Sequence, residues 1–304
     1  MSKVNMSVDL AGMSMKNPVV VASGTFGFGR EYSQFYDLSN LGGICVKGLT
    51  LHKREGNPPP RIAETPMGIL NSVGLQNPGV DGFIETELPW LKEQDVRIIA
   101  NISGNTPEEY GIMCQKLSKA GVDMIEVNIS CPNVKAGGAA FGTDLKLAHE
   151  VVSAVRNATK LPIITKLSPN VGNIADFARA VEDAGSDAVS LINTLSAMAI
   201  DINTRKPKIA NKFAGFSGPA VKPVAVRMVY EVSRAVKIPV IGMGGISSGA
   251  DAVEFLLAGA DAVAVGTANF VDPFAPLKVI HFINEYLDKN GFKSVSELKN
   301  ALII

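Results

Sequence analysis

Eight short apolar runs, separated by longer amphipathic stretches, constrain this chain more than any other feature. They are "NPVVVAS" (17–23), "GGICVKG" (42–48), "VRIIANIS" (96–103), "DMIEVNIS" (123–130), "LPIITKLS" (161–168), "DAVSLIN" (187–193), "IPVIGMG" (238–244) and "DAVAVG" (261–266). Each is rich in valine and isoleucine, and none alternates cleanly with polar residues. That is the pattern of strands in a parallel sheet covered on both faces. Helical sequence lies between them. "TPEEYGIMCQKLSKAG" (106–121) opens with a threonine cap and a proline and stops at a glycine, and 144–159, 173–185, 222–236 and 248–259 behave similarly. The phrase "AGxD" recurs in "AGVDMIEV", "AGSDAVSL" and "AGADAVAV", each time where a helix stops and a strand starts. This is a supersecondary repeat, not a solenoid repeat.

Eight strand–helix units in 304 residues predict a single-domain (β/α)8 TIM barrel over 1–304. An open doubly wound sheet is the alternative. The strand count argues against it, and so do the glycines: "GTFGFG" (24–29) has the wrong spacing for a dinucleotide fingerprint, and "GMGGIS" (242–247) has serine where the third glycine belongs. Residues 49–95 and 194–221 are too long for minimal loops. Long insertions at one end of a barrel build binding sites, so both are placed at its C-terminal face.

Composition narrows the function classes. Lys+Arg and Asp+Glu are both 29, giving zero formal charge, with no basic block for a nucleic acid to bind. The polar start "MSKVNMSVDLAGM" is neither signal peptide nor anchor, and no apolar run approaches the roughly 20 residues of a spanning helix. Cys45, Cys114 and Cys131 are scattered and form no metal-ligand cluster. An odd thiol count fits a reducing compartment, so a cytoplasmic protein away from membranes is expected.

In a barrel the chemistry gathers where strands end. Those ends carry Ser23, Lys47, Asn101, Asn128 with Cys131, Lys166, Asn193 with Thr194, Gly244 with Gly245, and Gly266 with Thr267. Any one buried Asn or Lys has a bland explanation in a satisfied hydrogen bond or a snorkelling head. A set converging from different strands points to a site. The last two loops, "GMGGISSG" and "GTANF", suit a phosphate held on backbone amides and a helix N-terminus. With lysines nearby, the ligand that fits is flavin mononucleotide (FMN), because a lysine stabilises the negative charge of a reduced flavin. The same lysines would serve a Schiff-base lyase. Cys131, on a loop in "NISCPNVK", has no histidine near it in sequence and fits a general base, whereas Cys45 and Cys114 read as core packing. Asn71, Asn128, Asn133 and Asn193 offer the donors and acceptors that a small planar ligand with a carboxylate and ring amides would need.

"NISCPNVK", "GILNSVGLQNPG", "VKGLT" followed by "PPPRIAETPMG", "TRKP…GFSGPA" and "GMGGISSGADAVEFLLAGADAVAVGTA" occur in an order that resembles the class 1 dihydroorotate dehydrogenases from first strand to last. "NVKAGGAAFGTD" and "NTRKPKIANKFAGFSGPAVKP" are most similar to class 1B, the NAD-linked subfamily. The resemblance implies an FMN barrel oxidising dihydroorotate to orotate in pyrimidine synthesis. It implies Cys131 as the base that removes the C5 proton, with hydride passing from C6 to the flavin. Lys47, Asn71, Ser72, Val73, Gly74, Leu75, Asn128, Asn193 and Thr194 would hold substrate. Ser23, Lys47, Gly48, Asn101, Asn128, Lys166, Ile192, Gly218, Gly244, Gly245, Gly266 and Thr267 would hold FMN, and no metal is implied. It also implies a homodimer flanked by partner subunits carrying FAD and a [2Fe–2S] cluster, with NAD as final acceptor. A fumarate-linked class 1A enzyme and another FMN-barrel pyrimidine reductase are the neighbouring alternatives.

Overall fold

The computed structural model describes residues 4–129, 141–299 and 301–303. Each of the eight apolar runs supplies one strand: β1 (Val19–Val21), β2 (Gly43–Cys45), β3 (Arg97–Ile102), β4 (Met124–Asn128), β5 (Ile163–Lys166), β6 (Ala188–Leu191), β7 (Val240–Met243) and β8 (Ala262–Val265). They close into a barrel in chain order, every neighbouring pair parallel. Val263 of β8 lies opposite Val19 of β1, so the sheet has no edge and the open alternative is excluded. Alternation along each strand sorts side chains into two cores. Ile125 and Val127 of β4 point outward into the layer shared with the helices, while Met124 points into the barrel.

Around the strands run α1 (Pro107–Ala120), α2 (Leu145–Ala158), α3 (Ile174–Asp183), α4 (Lys222–Ser233), α5 (Gly249–Leu257) and α6 (Ala275–Lys289). Their ends are where the sequence signals put them. Thr106 caps α1 by accepting from the Glu109 amide, and Gly121 ends it in the left-handed region. Asn173 caps α3, and Ser248 and Asp251 form a reciprocal capping box on α5.

The "AGxD" repeat has a physical task. Asp123, Asp187 and Asp261 each reach back to the start of the preceding strand. Their carboxylates accept from the amides of Ile98, Ile163 and Val240, all at 2.8 Å, and their own amides donate to the carbonyls of the same three residues. Each carboxylate also meets a cation: Arg97, Arg156 and Lys299 respectively. Three clasps thus fix strand register at the amino-terminal end of the barrel. Asp187→Ala leaves a partly buried amide unsatisfied and is expected to cost about 1–3 kcal/mol of stability, read as a lower urea midpoint.

Two features are absent from the apolar pattern. A hairpin of Val8–Leu10 and Met13–Met15 caps the amino-terminal end, its Leu10, Met13 and Met15 packing with Met124, Ile164, Ile241 and Ala262 inside the barrel. At the other end the two insertions combine. Ile62–Thr65 and Gly68–Asn71 from the first, with Leu195–Ala197 and Ala214–Ser217 from the second, make one antiparallel four-stranded sheet. The first insertion also carries a helical segment made of the turns Gly79–Gly82, Phe83–Glu87 and Leu88–Lys92.

Candidate active site

A cavity of about 350 Å³ opens at the carboxyl ends of the strands, beneath that four-stranded sheet. Its size lies within the range of small-molecule and cofactor sites. Every strand contributes. Ser23 follows β1, Lys47 and Gly48 follow β2, Asn101 belongs to β3, Asn128 ends β4 and Lys166 ends β5. Ile192, Asn193 and Thr194 follow β6, Gly244 and Gly245 follow β7, and Gly266 and Thr267 follow β8. The insertions bring Asn71, Val73, Gly74, Leu75 and Gly218 to the same wall. Ser72 is the exception in its run: it is fully buried behind the wall, its hydroxyl accepting from the amides of Asn57 and Asn211. Cys131 and Asn133 lie outside the described residues.

The polar groups of the cavity are held in place. Tyr110 donates to the Asn128 carbonyl at 2.8 Å, and the Asn193 amide approaches Asn128 Oδ1 at 3.4 Å. The loop carrying Asn71 is tied by Asn57, which donates to the Ser72 carbonyl, and the Asn71 amide reaches the Gly215 carbonyl of the roof sheet at 3.5 Å. The Thr267 hydroxyl donates to Ser217, joining the last barrel loop to that roof.

Loops seven and eight line the cavity, and loop eight ends at Thr267, the N-cap of a short helix, Ala268–Val271. The amides of Ser247 and Ser248 are both taken by Asp251 of the capping box. The amides of Gly245, Ile246, Gly266 and Thr267 donate to nothing among the described residues, and all four residues line the cavity. A phosphate would therefore rest on those loop amides. Gly245 has φ +79°, and a Cβ there would come within 2.9 Å of the Lys222 amide nitrogen, so only glycine fits. Lys222 is itself fixed between Asp251 and Glu254, at 2.7 and 2.6 Å.

Below the floor sits a group that the sequence reading passed over. Glu126 of β4 points into the barrel and is 2% exposed. It accepts from Asn101 Nδ2, from Ser190 Oγ at 2.7 Å and from Cys45 Sγ at 3.0 Å. Burial works to raise its pKa, but the nearby Lys166 ammonium and these hydrogen bonds outweigh burial and hold the carboxyl below its ordinary range. Cys45 shows the reverse. Burial first, then the charge of Glu126, push its thiol well above normal, which keeps it inert. Burial likewise pushes Cys114 up to about 12. Both thiols are core groups, as expected, but Cys45 is a hydrogen-bond donor as well. The signal for Glu126 was present in "DMIEVNIS": period-two alternation puts it on the same face as Asn128. Thr25, Ile69, Phe216, Ser217 and Ser247 also line the cavity without having been singled out.

A closed (β/α)8 barrel with amides and two lysines converging on one chamber at the carboxyl ends of its strands has the architecture of a barrel enzyme. The comparisons narrow this further. The family model described as dihydroorotate dehydrogenase matches residues 5–287, and the chain belongs to that family. Curated relatives named dihydroorotate dehydrogenase B (NAD(+)), catalytic subunit, align nearly end to end. The protein of Thermoanaerobacter pseudethanolicus is 56% identical over 98% of this chain and 99% of its own, and that of Desulforamulus reducens is 57% identical over the same shares. The Alkaliphilus metalliredigens protein is 56% identical over 99% of this chain and all of its own.

Proposed function

We propose that this chain is the FMN-binding catalytic subunit of an NAD-linked dihydroorotate dehydrogenase, oxidising (S)-dihydroorotate to orotate for pyrimidine synthesis in the cytoplasm. The carrying observation is the cavity, whose wall brings together both lysines, the strand-end amides and the unused loop amides in a chain of this family.

The residues present fit FMN. Among the described residues Asn101, which lines the cavity, accepts no hydrogen bond at Oδ1, and the ammonium of Lys166, a residue 6% exposed, makes no hydrogen bond and no ion pair within 4 Å. Buried groups of that kind call for a ligand partner. Gly245, Ile246, Gly266 and Thr267 would hold the phosphate, Ser23, Gly48, Ile192, Gly218 and Gly244 would shape the slot, and Lys166 and Asn101 would face the ring. When bound, FMN supplies the hydride acceptor that no side chain can provide. Lys47, Asn128, Asn193 and Thr194, with Asn71 and the Val73–Leu75 wall, orient the substrate carboxylate and ring amides. Cys131 takes the C5 proton. The electrons leave through a partner subunit with FAD and a [2Fe–2S] cluster, joined to a homodimer of this chain.

The test is direct. The purified chain should be yellow, release FMN on heating, and reduce a dye with dihydroorotate. A colourless protein with no dihydroorotate-dependent dye reduction after FMN is added would sink the reading. Lys166→Ala removes a charged donor beside the ring, worth about 1.5–3 kcal/mol, and is expected to weaken FMN binding roughly tenfold or more by fluorescence titration.

A further inference from the structure

The mechanism above leaves one buried ionised group unused. Glu126 touches neither the proposed substrate nor the proposed phosphate residues, and it is sealed inside the barrel under the cavity floor. A carboxylate there is expensive unless it is compensated. Apolar side chains fill the neighbouring interior positions on other strands, including Ile99, Ile164, Met243 and Ala264. An apolar residue at 126 would leave the buried Asn101, Ser190 and Cys45 donors without an acceptor. What the carboxylate does beyond filling space is visible in its contacts. A carboxylate only accepts hydrogen bonds, so Asn101 must turn its NH2 down toward Glu126 and leave its oxygen as the free atom. Lys166 lies on the adjacent strand β5 and on the same inward face, two residues beyond Ile164, the register partner of Glu126, and its charge is among those that lower the Glu126 carboxyl.

We propose that Glu126 is a positioning residue for the cofactor: it fixes which end of the Asn101 amide remains free and balances the Lys166 ammonium, so that the cavity presents one oriented acceptor and one compensated cation to the flavin ring. The inference rests on the FMN reading above. An acceptor at Asn101 selects a ligand N–H, which an oxidised flavin ring offers once, at its imide. A compensated cation stabilises a reduced, more negative ring less than a bare one would, so Glu126 sets a lower reduction potential than Lys166 alone would give.

The test is a double-mutant cycle on the full chain: parent, Glu126→Gln, Lys166→Met and both together. FMN dissociation is measured by fluorescence titration of the apoprotein, and the midpoint potential by dye equilibration at pH 6. Glu126→Gln keeps the side chain's size but allows the Asn101 amide to flip. It is expected to weaken FMN binding by about tenfold and to raise the potential, since a hydrogen bond to a charged group and a nearby negative charge are both lost. In the Lys166→Met background the same substitution should raise the potential little, because without that ammonium burial favours the protonated Glu126 and little negative charge is left to remove. Equal effects in both backgrounds, or an unchanged or lowered potential in Glu126→Gln, would overturn the inference while leaving FMN binding by the parent intact. A parent that takes up no FMN would overturn both readings. If Glu126→Gln does not fold, the double variant, which removes both charges, should fold and bind FMN; its failure to do so would also overturn the inference.

Discussion

Replacing Cys131 by serine is expected to slow reduction of the bound flavin by dihydroorotate roughly 10²–10⁴-fold at neutral pH, the span that general-base catalysis contributes. Among the described residues that line the cavity, the only carboxylate is Asp272, which is held by Lys278 at 2.6 Å, and there is no histidine. Lys47 and Lys166 are cations suited to binding negative charge. Glu126 is sealed below the floor. Cys131 follows Asn128, a cavity residue, by three positions, and three residues of chain span at most about 11 Å. A thiol with a pKa of about 8.5 ionises near neutral pH, and a serine hydroxyl does not. FMN content should be unchanged in the variant, and its residual rate should rise with pH. Anaerobic stopped-flow bleaching of the flavin measures this, and a rate near that of the parent would remove Cys131 from the base role.

The barrel was legible because strands buried on both faces carry undivided apolar runs, and because glycine and aspartate mark every turn from helix to strand in the "AGxD" repeat. Strand-end lysines and amides were legible for a related reason: a polar residue closing an apolar run is costly unless something meets it. The roof sheet was not legible. Its strands are two to four residues long if the short Ile200–Asp201 and Lys206–Pro207 ladder beside it is counted, and Ile62–Thr65 alternates between exposed and half-buried. The pairing of Asn71 with Gly215 joins residues 144 apart, which no local window detects. Glu126 was hidden by being read as part of an apolar strand. Only closure of the barrel shows that its face turns inward, toward Cys45, Asn101 and Ser190 from three other strands. Ser72 illustrates the opposite limit, since a run of wall residues need not present every member to the cavity.

The purified chain given dihydroorotate and NAD is expected to form essentially no NADH, while reducing an artificial dye at full rate. Three routes for the electrons can be compared. A hydride passed to NAD on this chain needs a dinucleotide site, and loop seven, the nearest glycine-rich candidate, is built differently: Ser247 stands where the third glycine belongs, and Asp251 takes the amides of Ser247 and Ser248. A lipid-soluble acceptor needs a docking element; among the described residues no helix is long and apolar enough to cross a membrane, and Leu10, Met13 and Met15 of the N-terminal hairpin pack inside the barrel. A one-electron relay within the chain needs an iron–sulfur cluster, and a [2Fe–2S] cluster takes four cysteine ligands where this sequence has three, two of them buried apart in the core. A relay on another polypeptide, as proposed above, agrees with the words "catalytic subunit" in the names of the relatives. Adding a partner that carries FAD and a [2Fe–2S] cluster should switch on NADH formation, followed at 340 nm, without changing the rate of flavin bleaching by substrate. Robust NADH formation by the chain alone would sink the partner requirement. Rapid turnover with fumarate in place of NAD would instead assign the second half-reaction to the substrate cavity itself, and the chain to the fumarate-linked branch of its family.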